Sequence, residues 1–160
     1  MNFTVTQAHL KHLEDCTAAL LNSKLGHEYF SADRARAALT DGITRGEVVV
    51  AVVETGECLG FVWVVPAGAF HSFPYVHIIA VKETVRGLGI GTQLLGFVEE
   101  TVFATSSKVF LVVADFNPDA KRLYERLGYR QVGQIPGLYK AGVTEYLMMK
   151  ERAPLPNAAW

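Results

Sequence analysis

The sequence is short of cysteine, of excess charge and of long apolar runs, and each shortage removes a class of protein. Its two cysteines, Cys16 and Cys58, are too few for a disulfide framework and lack metal-ligand spacing. They read as free thiols of a reducing, cytoplasmic compartment. Fifteen Lys and Arg stand against sixteen Asp and Glu, a net charge of -1, so no chain-wide basic excess exists to grip nucleic acid. The longest apolar runs, Val48 to Val53 and Leu59 to Val65, fall far short of the roughly 20 residues of a membrane helix. Met1 to Gln7 has no basic start leading into an apolar stretch, so no secretory leader is expected. Repeats, low-complexity tracts and zinc or calcium spacings are missing too. No metal, membrane or nucleic-acid partner is expected.

What is present suits a folded domain. Half of the residues are hydrophobic and 19% charged, which excludes a disordered or collagenous chain. The length, 160 residues, lies within the span of about 100–200 typical of one domain. Residues 1–150 read as that domain and 151–160, with Pro154 and Pro156, as a C-terminal tail.

Strands and helices alternate along the chain. Phe3 to Val5 reads as a strand, followed by a helix capped by Thr6 with Leu10, Leu13, Thr17, Leu20 and Leu21 on one face. A second helix follows Ser31 and stops near Gly42 or Gly46. Val48–Glu54 and Leu59–Val65 flank a Gly turn as an antiparallel hairpin, and Pro66 to Pro74 reads as a loop. Tyr75–Val81 is a strand, Ile90 to Val102 an amphipathic helix and Lys108–Ala114 a strand. Asn117 caps a further helix, Pro118 opens it and Gly128 stops it; Tyr129–Ile135 and Glu145–Lys150 close the sheet. The fold class is therefore α/β (α+β), a mixed, mostly antiparallel sheet of about seven strands flanked by about four helices.

Chemistry first enters at Arg86-Gly87-Leu88-Gly89-Ile90-Gly91-Thr92. A strand, a glycine turn and a helix start leave several backbone N–H groups unpaired, able to converge on an anion. A Walker loop and a dinucleotide fingerprint both fail, because Thr92 stands at the sixth position from Gly87.

What fits is Arg86-x-x-Gly89-x-Gly91, which resembles the pyrophosphate loop of the GCN5-related N-acetyltransferases (the GNAT family). A second block resembles the other half of that family's cofactor site: the strand Val109 to Ala114, then Asn117, Ala120, Tyr124, Gly128 and Tyr129. The resemblance runs from about Val48 to Lys150. It implies two central parallel strands splayed apart and acetyl-coenzyme A as donor. The amides of Arg86, Gly87, Leu88, Gly89, Ile90, Gly91 and Thr92 would hold its pyrophosphate. Its pantetheine arm would lie along Ile79, Ala80 and Val81, reached by Asn117 and Ala120, with the Val81 N–H facing the thioester carbonyl. Tyr124 would give a proton to the leaving thiolate. The acceptor would be a primary amine of a small molecule or a peptide, and a homodimer is plausible in the family.

For the base, strict alternation would put Tyr75, His77, Ile79 and Val81 on one face, with His77 toward the acceptor. His77 resembles histidines of the arylalkylamine branch; an ordered water chain is the alternative. Many relatives carry Glu where this chain has Tyr75, so the usual carboxylate base is missing. Glu28, Tyr29, Tyr75 and Tyr139 are the expected acceptor contacts, with His71 as a further candidate. A catalytically silent acyl-coenzyme A-binding module is the competing function.

Overall fold

A computed structural model describes residues 1–153. Residues 154–160, most of the expected tail and with it Trp160, lie outside the described residues. Among the described residues seven strands form one sheet: β1 (Thr4–Gln7), β2 (Val48–Val52), β3 (Cys58–Ala69), β4 (Phe73–Val81), β5 (Lys108–Ala114), β6 (Arg130–Pro136) and β7 (Thr144–Glu151). Their order is β1-β2-β3-β4-β5-β7-β6, and every pairing is antiparallel except β4 with β5.

The helices are α1 (Leu13–Leu21), α2 (Lys24–Tyr29), α3 (Ala32–Thr44), α4 (Ile90–Val102) and α5 (Pro118–Arg126). The first three cover one face around Leu20, Leu39, Val50, Phe61 and Ile78. On the opposite face α4 and α5 pack Leu94, Leu95 and Tyr124 onto Val62, Leu111 and Met148. Leu94 and Leu95 are fully buried, worth about 1.5–3 kcal/mol each. That burial seats the N-terminus of α4 firmly against the sheet.

Four details correct the sequence reading. The described residues form five α-helices where about four were expected. The additional one, α2, lies between the first two expected helices; Ser23 caps it by accepting from Gly26 N at 3.0 Å. Thr6 caps nothing, because Ala8 N and Gln7 Nε2 both donate to Val48 O at 2.9 Å and hold this segment beside β2. Helix α1 starts only at Leu13. Pro66 to Pro74 is a hairpin, not a loop, with only Phe70, His71 and Ser72 outside the strands. Both prolines are tolerated because the ladder is irregular between Val65 and Ala69, where no N–H is required. His12 is buried and accepts from His9 N at 3.0 Å through Nδ1.

Candidate functional site

The site begins with an extra residue in β4. Against β3, Val64 pairs with Val76 and Trp63 with Ile78, so His77 has no partner. This is a β-bulge, which bends its strand and ends regular pairing. On the other edge β4 meets β5 only at Tyr75↔Phe110 and Val76↔Leu111. Beyond these the two strands diverge. Lys82 N donates to Leu59 O on the β3 side at 2.8 Å. By strand alternation the preceding amide, Val81 N–H, points the other way, into the split. A small cavity of about 50 Å³ lies there, lined by His77, Ile79, Val113, Ala114, Asn117 and Tyr124 among others, Leu25 of α2 included.

A larger cleft of about 670 Å³ opens on the α4–α5 face. Gly87 and Gly89 turn the chain with φ of 79° and 82°, a conformation that glycine enters without a Cβ penalty. The first backbone bond of α4 is Gln93 N to Gly89 O at 3.0 Å. The amides of Ile90, Gly91 and Thr92 therefore stand ahead of the helical ladder, as donors at a positive helix end. A Cβ at Gly91 would sit 3.8 Å from Val81 Cγ2 and 3.9 Å from Ile79 Cδ1, so its absence widens the cleft rather than relieving a clash. The Arg86 guanidinium donates to Val81 O at 3.2 Å and Asn22 O at 2.9 Å. It ties the turn to α1 and β4.

Of the residues expected to hold a cofactor, Ile79, Ala80, Val81, Arg86, Gly87, Gly89, Ile90, Gly91, Thr92, Asn117, Ala120 and Tyr124 line this cleft. Leu88 does not; its side chain is 58% exposed. Sequence reading missed Ser23, Lys24 and Arg126 at the same wall. Asn117 precedes α5, but its side chain makes no capping bond, correcting the sequence reading, and it borders both cavities.

Tyr124 also borders both cavities. Its hydroxyl has no hydrogen-bond partner among the described residues, and desolvation pushes its pKa up to about 12. The group therefore stays a proton donor throughout the neutral range.

On the α1–α3 face the bulge overturns one expectation. Ile79 and Val81 pack with the α4–α5 core, whereas Tyr75 packs against Phe110 and Met149. His77 stands beside Trp63 and Tyr75, ring centroids 4.8 and 6.0 Å away. The four side chains do not share a face, because the extra residue at His77 reverses the alternation. The His77 side chain is open to solvent, yet its aromatic walls desolvate the ring and lower its pKa; Glu47 pulls weakly the other way.

Beside His77 the expected tyrosines gather. Tyr75 and Tyr139 hydroxyls are 3.2 Å apart, and Tyr29 meets Tyr139 edge-on at 5.7 Å. Glu28 is paired with Lys140 at 2.9 Å. His71 lies apart, at the hairpin tip with φ of 57°. Sequence reading missed Glu145. It is 2% exposed and its Oε1 accepts from the Tyr29 hydroxyl at 2.6 Å. Desolvation raises its pKa, opposed by the Tyr29 bond. Among the described residues no group of His, Cys, Asp and Glu could hold a metal ion, and no helix is long and apolar enough to cross a membrane.

Comparison with known proteins agrees with this architecture. Residues 12–129 match the Acetyltransferase (GNAT) family. An uncharacterized N-acetyltransferase of Methanocaldococcus jannaschii is 43% identical over 86 residues, 51% of this chain and 53% of the relative. The S-(2-succino)cysteine N-acetyltransferase of Bacillus subtilis is 34% identical over 88 residues, 53% of each chain. The chain thus spans about half the length of these curated relatives. Among solved structures, Ard1 from Thermoplasma volcanium superposes with a TM-score of 0.81 at 20% identity, covering 96% of this chain and 100% of that one. An aminoglycoside 6'-N-acetyltransferase complexed with coenzyme A does so with 0.77 at 18%, covering 96% and 99%. At such identities these two likenesses bear on the fold.

Proposed function

The chain belongs to the Acetyltransferase (GNAT) family, and from this we propose that it moves an acetyl group from acetyl-coenzyme A to a primary amine by direct transfer. One observation carries the reading. The larger cleft runs from the free amides at the start of α4 to Tyr124, which also borders the small cavity in the β4–β5 split. Its dimensions and donors fit a long thiol cofactor with a diphosphate at one end. We read residues 1–150 as one unit for this activity, working in a reducing cytosol. The buried Cys16 and Cys58, held as thiols with Sγ atoms 3.9 Å apart, support that location. A dimer is a further part of the reading.

The donor supplies an activated thioester. The amides of residues 86–92 would neutralise its diphosphate, and the open edge of β4 at Ile79–Val81 would accept its amide arm like an added strand. Val81 N–H points where negative charge grows on the carbonyl oxygen. His77, kept neutral by its surroundings, would take a proton from the incoming ammonium. The amine nitrogen then bonds to the carbonyl carbon, the carbon–sulfur bond breaks as Tyr124 delivers a proton to the leaving sulfur, and the proton shed by the new amide nitrogen restores the Tyr124 hydroxyl. A silent acyl-binding module has no use for a desolvated hydroxyl bordering both cavities, so Tyr124 favours the enzyme.

Calorimetric titration with acetyl-coenzyme A and an assay of thiol release over a panel of amines test this. Binding together with amine-dependent thiol release is expected. Binding without release to any acceptor would leave the silent module; no binding would remove both readings.

A further inference from the structure

We propose that Glu145 and the tyrosines around it select an acceptor that carries no carboxylate beside its amine, a cationic amine and not an amino acid. The proposal rests on the transfer reading above and narrows it to a substrate class.

Glu145 is a charge in want of a partner. Its position in β7 faces Ala114 of β5, which lines the split, so the carboxylate stands one strand away from the reacting centre. Oε1 accepts from the neutral Tyr29 hydroxyl, and Oε2 has no partner among the described residues. Every fully enclosed side-chain polar atom there does have one. Oε2 is therefore not fully enclosed and keeps an accessible edge. None of the described ion pairs involves Glu145, and Lys140, which follows Tyr139, is already paired with Glu28. A buried carboxylate without a cation gains most from a guest that brings one.

The surroundings favour the same guest. Tyr29 meets Tyr139 at 5.7 Å and 64°, and Phe116 at 5.7 Å and 63°. Tyr75 closes the group through its 3.2 Å contact with the Tyr139 hydroxyl. Aromatic faces attract ammonium groups and gain nothing from anions. Asp115 adds a second negative charge, which raises the pKa of both Tyr29 and Glu145. An amino acid would place its own carboxylate among these groups and meet like-charge repulsion, a device that builds specificity by exclusion.

The test uses matched acceptors, tyramine against tyrosine and phenethylamine against phenylalanine, with thiol release as readout. In each pair kcat/KM is expected to be at least about tenfold higher for the amine without a carboxylate. Glu145→Gln should raise KM for tyramine about tenfold and erase most of the discrimination, with acetyl-coenzyme A affinity unchanged. Tyr139→Leu, at a 54% exposed position, is the second variant should the buried substitution unfold the protein. It should lower kcat/KM for tyramine about fivefold and leave tyrosine less affected. Equal use of tyrosine, or discrimination that survives both variants, overturns the proposal. Should no amine release thiol, the transfer reading fails on its own account. Titration calorimetry of tyramine and tyrosine in the presence of coenzyme A then decides this one: tighter binding of tyramine, weakened by the variants, supports it, and any other result overturns it.

Discussion

The indole of Trp63 stands edge-on to the imidazole of His77, ring centroids 4.8 Å apart at 83°. Trp63 is itself fixed, its Nε1–H donating to Glu47 Oε2 at 2.8 Å. The imidazole thus faces an apolar wall that disfavours its charged form, and its pKa falls below 6.5. The acidic limb of kcat/KM is expected to have its midpoint below that value and to flatten in His77→Ala. The linkage has the same sign. Stability from the neutral ring is complete above the ordinary histidine range and declines as pH drops toward the lowered pKa. A pH–rate profile of wild type and variant checks this; an unchanged limb removes His77 as base.

Tyr124→Phe deletes one hydroxyl in a site where it has no partner among the described residues, so folding should be nearly unaffected. Turnover should fall by about a hundredfold or more, the usual contribution of a placed acid, with acetyl-coenzyme A affinity changed little. Single-turnover rates and calorimetry measure the two quantities. Unaltered turnover would exclude Tyr124 from the reaction.

Gly89→Ala adds a methyl that meets nothing within 4 Å, so steric crowding is not the issue. The backbone is: φ of 82° at the N-cap of α4 costs a non-glycine residue roughly 1 kcal/mol or more. A lower thermal midpoint is expected, together with weaker coenzyme A binding as the turn relaxes. Calorimetry of the variant with coenzyme A and with a dephosphorylated pantetheine fragment separates the phosphate end from the arm; equal losses for both ligands would contradict the assignment.

Gly42→Ala acts at a distance. A Cβ there would lie 2.6 Å from Trp63 Cε2, so the indole has to move. Overpacking of this kind costs about 1–3 kcal/mol. Because the same indole walls His77, the imidazole pKa should rise toward its ordinary value. Denaturant unfolding gives the first effect and an NMR titration of His77 the second.

Where local chemistry decided the structure, it was readable from the residues. Apart from its opening lysine, Lys108–Ala114 is an apolar run, and it forms β5 within those bounds. Pro118 and Gly128 bracket α5 as N1 proline and left-handed stop. The glycine turn was visible because positive φ leaves a mark in composition. What stayed hidden depended on distant partners. Helix α2 carries Gly26 in its interior, a poor helix former; the glycine is there because a Cβ would come within 1.9 Å of Leu20 O. The bulge at His77 has no residue signature, since any side chain can occupy it. Glu145 looked like one polar position on a closing strand. Its burial comes from the α2 tyrosine 116 positions away, a contact no local pattern announces.

The bulge at His77 in β4 has one more effect. It sends Ile79 and Val81 to one side of the sheet and leaves His77 with Tyr75 on the other. Two reactants using these sides would enter through separate doors and touch only at the gap between them. Neither would need to leave before the other, so loading in either sequence stays open, and an acceptor could be exchanged for a larger one without rebuilding the wall that grips the nucleotide end.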